Sequence, residues 1–261
     1  AMLKRAAAPL FSPIAPEAAG MPLYRAVKRA LLQAIESGAC APGRALPSET
    51  LLAGSFGVAI GTVRKAVDEL VAEHVLVRRQ GRGTFVATHS TDRFLFQFFH
   101  IERSDGLREA PALELLSFER LRCDEDAAAA LQLRAGDPVI HIENLLKLQG
   151  AAVIHDRLTL PAALFKGLSE KRFRERPGTI YQLYQSDFGI TVLRAIERAR
   201  AVVADRTGSR ILGVAPGTPL MQVHRSALTF GDRPVEYRVS SVNTARHDYV
   251  NLLSRPAGKA E

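Results

Sequence analysis

Cysteine is nearly absent: Cys40 and Cys123 are the only two in 261 residues, too few for a disulfide framework and unlike the ligand set of a zinc site. Both read as reduced cytosolic thiols. No apolar run approaches the span of a bilayer, so no membrane-spanning segment is expected. The N-terminal stretch lacks the continuous apolar core of a secretory signal, and a cytoplasmic location is the expectation. Internal repeats are missing, and low complexity is confined to the Ala/Pro-rich residues 1–20, read as a disordered arm. His141, His155, Asp156, His224 and His247 are joined by no nucleophile or metal motif, so no catalytic residue, metal or cofactor is expected.

What is present suits a soluble globular protein of two domains: 47% hydrophobic and 24% charged residues over a length that lets each half bury its own core. The formal net charge of +8 points to a polyanionic partner, because a basic surface gains affinity for phosphate by releasing counterions. That charge matters only if it gathers on one face.

From Pro22 to Glu36 the apolar residues Leu23, Val27, Ala30, Leu31, Ala34 and Ile35 recur at helical spacing, and Ser37-Gly38 stops the run. A turn-rich connector follows, ending in Ser48, which is placed to cap a second helix over Thr50 to Phe56. After Gly57-Val58 a third helical stripe runs from Ile60 to His74. The periodicity then changes to two short β-prone runs, Val75 to Gln80 and Gly83 to Ala87, joined at a basic tip. Helix, helix-turn-helix and hairpin is the order of a winged helix-turn-helix. The expected fold class is therefore α+β, with this module over 21–88, a linker over 89–110, and a mainly antiparallel α+β domain over 111–255. Its strands are expected at Leu113–Arg122, Val139–Leu148, Ala152–Leu160, Thr191–Ala204, Pro219–Phe230 and Pro234–Asn243, with helices at Asp126–Leu133 and Thr179–Phe188.

In a helix-turn-helix the second helix enters the major groove by its N-terminal end, which calls for small or hydrogen-bonding residues followed by cations. Ala59, Ile60, Gly61 and Thr62, then Arg64 and Lys65, occupy that end. Gly61 permits close approach, Thr62 can bond phosphate or touch a thymine methyl, Arg64 can fork onto guanine, and Lys65 is a phosphate point charge. Arg78, Arg79, Gln80, Gly81, Arg82 and Gly83 form a wing tip suited to a narrow minor groove, and Ser48 and Thr50 at the start of the second helix complete the DNA-facing set.

Pro22-Leu-Tyr, Pro42-Gly-Arg-Ala-Leu-Pro-Ser-Glu, Phe56-Gly-Val, Thr62-Val-Arg-Lys-Ala-Val and Arg78-Arg-Gln-Gly-Arg-Gly-Thr-Phe-Val closely resemble the DNA-binding domain of the GntR family, without gaps from about Pro22 to Ala87. The resemblance implies binding of short palindromes as a dimer. Two departures are visible: Thr50 stands where the family usually has an arginine after Ser-Glu, and Ala59-Ile60 where it usually has Ser-Arg.

The second half resembles the effector domain of the family's HutC branch, called UTRA and similar in fold to chorismate lyase, through Thr179-Ile-Tyr, Phe188-Gly-Ile, Leu212-Gly-Val-Ala-Pro-Gly-Thr-Pro-Leu and Pro234-Val-Glu-Tyr. The resemblance implies a ligand pocket walled by sheet. Thr179 and Tyr181 would sit at a helix N-terminus able to receive an anion, and Asp156 and Glu236 on neighbouring strands would accept hydrogen bonds from a ligand. Arg194, Arg198 and Arg238 are further cationic candidates, with alternation sending some of them to solvent. Where the family commonly places two arginines that hold the phosphate of sugar phosphates, Asn144 and Leu146 stand here, which favours a non-phosphorylated carboxylate, amine or amino-acid-derived effector.

The expectation is a repressor: a homodimer on a palindromic operator in double-stranded DNA, released or retained by a small-molecule effector, with no membrane partner. Two rivals remain at this point, a DNA-binding protein whose second domain only dimerises and a lyase-like enzyme.

Overall fold

Spacing of apolar side chains builds the first helices. The computed structural model describes residues 10–14 and 22–251. Its chain divides into two compact units at Thr88/His89.

In the first unit, α1 (Leu23–Glu36) turns Val27, Leu31, Ala34 and Ile35 inward. It packs on α3 (Ile60–Ala72), which buries Val63, Ala66, Val67 and Leu70. Between them lies α2 (Glu49–Phe56), capped by the Ser48 hydroxyl accepting from the Leu51 N–H at 3.3 Å and ended by Gly57 at φ +67°. That left-handed stop, natural for glycine, makes the tight turn into α3. The wing pairs β1 (Leu76–Arg79) antiparallel to β2 (Gly83–Val86), with Arg78 opposite Thr84. Its turn needs Gly81 at φ +68° and Gly83 at φ +101°.

The expected N-terminal arm lies largely outside the described residues. Its described part corrects the expectation of disorder: Phe11 is buried with its ring centroid 4.9 Å from that of Phe56, and the Ile14 N–H donates to the Phe56 carbonyl at 2.9 Å. An aromatic ring within an Ala/Pro-rich run is enough to anchor it.

In the second unit, six strands make one antiparallel sheet in the order β4-β5-β6-β9-β8-β7: β4 (Ala112–Arg122), β5 (Pro138–Leu148), β6 (Ala151–Pro161), β7 (Arg194–Val203), β8 (Pro219–Leu228) and β9 (Pro234–Val242). Gln149 and Gly150, both at positive φ, close the β5–β6 hairpin. The short helices α5 (Glu125–Leu131), α6 (Glu170–Arg174) and α8 (Arg206–Leu212) join strands, and α7 (Ile180–Phe188) contributes Ile180, Tyr181, Leu183 and Tyr184 to the main core.

Residues 89–110, expected as a linker, belong instead to the second unit. They form α4 (Thr91–Gln97) and β3 (Ile101–Arg103), which pairs with β10 (His247–Tyr249). Phe94, Phe98, Phe99 and Ile101 are buried in the main core, so the segment stays for the apolar area it covers. His89 is buried at its start. Its backbone N–H donates to the Gln185 side chain at 3.1 Å, and its Nε2 accepts from the Val192 N–H, also at 3.1 Å.

Candidate DNA interface and buried polar site

On the first unit, Thr50, Ala59, Ile60, Gly61, Arg64 and Lys65 are exposed, and Thr62 is half-buried at the start of α3. Ala59 offers no side-chain cap, so the first-turn N–H groups of α3 gain no side-chain acceptor there. Arg78, Arg79, Gln80, Gly81, Arg82 and Gly83 are all exposed along the wing.

The cations are held in place by neighbours. Glu49 accepts from Arg64 Nε at 2.9 Å and from Arg78 Nη2 at 3.2 Å, while Asp68 takes the other nitrogen of Arg78 at 2.6 Å. Lys65 Nζ stands 4.1 Å from the Tyr24 ring centroid, and the Arg79 guanidinium 4.7 Å from that of Phe85. Glu49 is the residue that sequence reasoning missed. Its place beside the capping Ser48 was the available signal, but only the tertiary approach of α3 and the wing shows what it joins.

On the second unit, cross-strand register arranges a buried polar face. One row runs Asn144, Asp156, Ser240 and Val223 across β5, β6, β9 and β8; the next runs Leu158, Arg238, Arg225 and Glu197 across β6, β9, β8 and β7. Arg238 donates Nε and Nη2 to Glu236 at 2.9 and 3.1 Å and Nη1 to Asp156 at 3.1 Å. From α7, the Tyr181 and Tyr184 hydroxyls donate to the same Glu236 at 3.3 and 2.6 Å. Arg225 donates to Glu197 and to the Phe98 carbonyl, and Tyr249 donates to Glu197.

Burial pulls against the charge on Arg238, but Glu236 and Asp156 outweigh it and hold the guanidinium protonated. The Tyr181 hydroxyl is pushed up to about 12 by burial and by Glu236, and burial drives the His100 imidazole below its ordinary range. Near neutral pH Arg238 therefore stays charged and the Tyr181 hydroxyl protonated, while His100 is biased toward its neutral form.

Thus Asn144, Asp156, Tyr181, Glu236 and Arg238 share one buried face, while three other candidates, Thr179, Arg194 and Arg198, do not join it. The Thr179 hydroxyl caps α7 by accepting from the Gln182 N–H at 3.1 Å, so a helix end expected to receive an anion already has a side-chain partner there. Arg194 is exposed and paired with Asp232 at 2.7 Å, at the rim of a cavity of about 390 Å³ that His100, Glu197, Arg225 and Tyr249 also line. Arg198 is likewise exposed. Tyr184, Arg225, Glu197 and Tyr249 were missed, because their convergence depends on a register that local pattern does not encode.

A winged helix with exposed cations at both its third helix and its wing, followed by a sheet domain with an enclosed polar face, defines a DNA-binding regulator with a ligand-binding domain. The chain belongs to the GntR family of bacterial regulatory proteins, whose model matches residues 23–86, and carries a UTRA domain over residues 107–248. It is similar to the mannosyl-D-glycerate transport/metabolism system repressor of Escherichia coli (strain K12), 26% identical over 91% of this chain and 98% of that one. It is also similar to the histidine utilization repressor of Pseudomonas putida, 29% identical over 82% and 85% of the two chains. The crystal structure of the ligand-binding domain of a GntR-family regulator from Bordetella bronchiseptica matches 61% of this chain and 99% of its own, with 34% identity and a TM-score of 0.57. Relatives and family are transcriptional regulators, which removes the lyase-like enzyme from consideration.

Proposed function

We propose that the protein is a cytoplasmic homodimeric repressor whose two α3 helices read half-sites about one helical turn apart, with the wings in the minor groove. Arg64 would contact guanine, Thr62 and Lys65 the phosphates or a thymine methyl, and Arg78, Arg79 and Arg82 the minor-groove walls. Ser48 and Thr50 flank this surface. The observation that carries the reading is the joint exposure of Arg64, Lys65, Arg79 and Arg82 at the two places where a winged helix meets a duplex. Repression follows from relatives that are named as repressors.

The buried face around Asp156, Glu236 and Arg238 is the effector site in this reading. An effector acts by binding the DNA-competent and DNA-free arrangements with different affinity, a coupling of about 1 to 3 kcal/mol.

Selection of bound duplexes from a random pool by the full-length protein tests this directly. An enriched inverted repeat, with half-site centres about 10 base pairs apart or a multiple of that, is the expected result. Recovery without sequence preference overturns it and favours a DNA-binding protein whose second unit only dimerises.

A further inference from the structure

On the buried face each guanidinium nitrogen of Arg238 has an acceptor, while the acceptor side of its neighbour is incomplete. Asp156 uses Oδ2 for Arg238, while its buried Oδ1 has no partner among the described residues. Asn144, directly across the strand pair and fully buried, has no partner on either Oδ1 or Nδ2. A buried carboxylate oxygen and a buried amide left so are costly, at about 1 to 3 kcal/mol for each unsatisfied group, and of the two Asp156 is the one that borders a cavity, where a ligand can meet it.

The space at Asp156 is small, about 30 Å³, and Arg225, Arg238, Glu197, Ser240 and Tyr249 also border it. It admits a single polar head. The larger cavity of about 390 Å³ shares His100, Glu197, Arg225 and Tyr249 with it and is of the size that holds a small organic molecule. The Arg225 and Arg238 guanidiniums already direct N–H groups to Glu197, to the Phe98 carbonyl, to Glu236 and to Asp156, yet neither they nor the Asn144 amide donates to Asp156 Oδ1.

The geometry points to an effector that presents a protonated nitrogen, an ammonium or amidine-type group, to Asp156 Oδ1, with its body in the larger cavity. This rests on the reading of the second unit as an effector domain and names the ligand class of that site. A charged donor satisfies a buried carboxylate better than a hydroxyl does. An anion would place its charge against the free oxygen of Asp156 and lacks the donor that this oxygen wants.

The test is a calorimetric and thermal-shift titration of the full-length protein with propylamine, putrescine and agmatine, beside butyrate, glutarate and glucose 6-phosphate as anions and erythritol as a neutral donor. Saturable binding of at least one cationic probe is expected, weakened by about 10- to 100-fold in Asp156→Asn, which keeps an oxygen for Arg238. Should that variant lose its fold by circular dichroism, Ser240→Leu, which fills the small space beside Asp156, takes its place, with a comparable loss of cation affinity expected. Binding of anionic or neutral probes alone overturns the ligand class and leaves the effector reading standing. Binding of no probe at all overturns the class and withdraws support from the effector reading with it.

Discussion

Glu49 decides how two of the DNA-facing cations stand. By accepting from both Arg64 and Arg78 it ties the third helix to the first strand of the wing, through pairs exposed enough to break cheaply when phosphates compete. Arg64 is then free to fork onto a guanine edge. Arg64→Ala should weaken operator binding by about 1 to 3 kcal/mol and relax preference at one base pair of each half-site, read by fluorescence anisotropy. Unchanged affinity would remove Arg64 from the interface. On the second unit the decisive residue is Glu236, fully buried and the acceptor for Arg238 and two tyrosines. Glu236→Ala leaves the Arg238 guanidinium buried against Asp156 alone, and about 3 to 5 kcal/mol of stability should disappear in urea denaturation. A loss under 1 kcal/mol would mean that water replaces the carboxylate and that the face is open. Asp156, Glu236 and Arg238 could be singled out in the sequence through the resemblance of the second half to an effector domain. Their partners could not, since Arg225 and Glu197 look like ordinary surface charges until β7, β8 and β9 are placed in register.

The same contrast governs elements. The three helices of the first unit and the six long strands of the second were legible because their periodicity persists over many residues, whereas α4 was hidden in a polar and aromatic run read as linker, and β3 and β10 are three residues each. An element that short is defined by its partner rather than by its own pattern. Capping is the exception, since it is local: the Thr179 hydroxyl at the start of α7 has one clear partner in the Gln182 N–H. Thr179→Ala should therefore cost about 1 kcal/mol of stability and leave effector affinity unchanged, by parallel denaturation and calorimetry. A change in affinity larger than the change in stability would restore Thr179 as a ligand contact. The start of α4 is tied to α7 and to Val192 by His89, whose imidazole burial drives down to about 3, with Arg93 adding to the shift. Unfolding frees it to titrate at its ordinary value of 6.5. The neutral ring thus contributes its full stability above pH 6.5, and this is lost as pH falls toward 3, by about 2 kcal/mol at pH 5. Comparing denaturation at pH 7.5 and 5 for the parent and His89→Gln isolates it; equal losses in both would assign the acid sensitivity elsewhere.

At the scale of the whole molecule, a formal charge of +8 acquires meaning through its distribution. The proposed duplex surface of each protomer carries Arg64, Lys65, Arg78, Arg79 and Arg82, of which Arg64 is assigned to a base and the other four to phosphates or the groove wall. A dimer thus brings about eight cations to the backbone, and counterion release predicts a plot of log affinity against log salt with slope near −7. Pairing of Arg78 with Glu49 and Asp68 lowers the net gain at that site, so the slope should fall short of this value rather than exceed it. Arg82 sits at the exposed wing tip, making Arg82→Ala the cleanest probe. If both wings engage, the slope should flatten by about 2, one for each protomer, with affinity falling similarly for operator and unrelated duplex. Flattening by about 1 would show that a single wing meets the DNA, contrary to a symmetric dimer on a palindrome. No flattening would place the wings off the duplex and leave α3 to supply recognition alone.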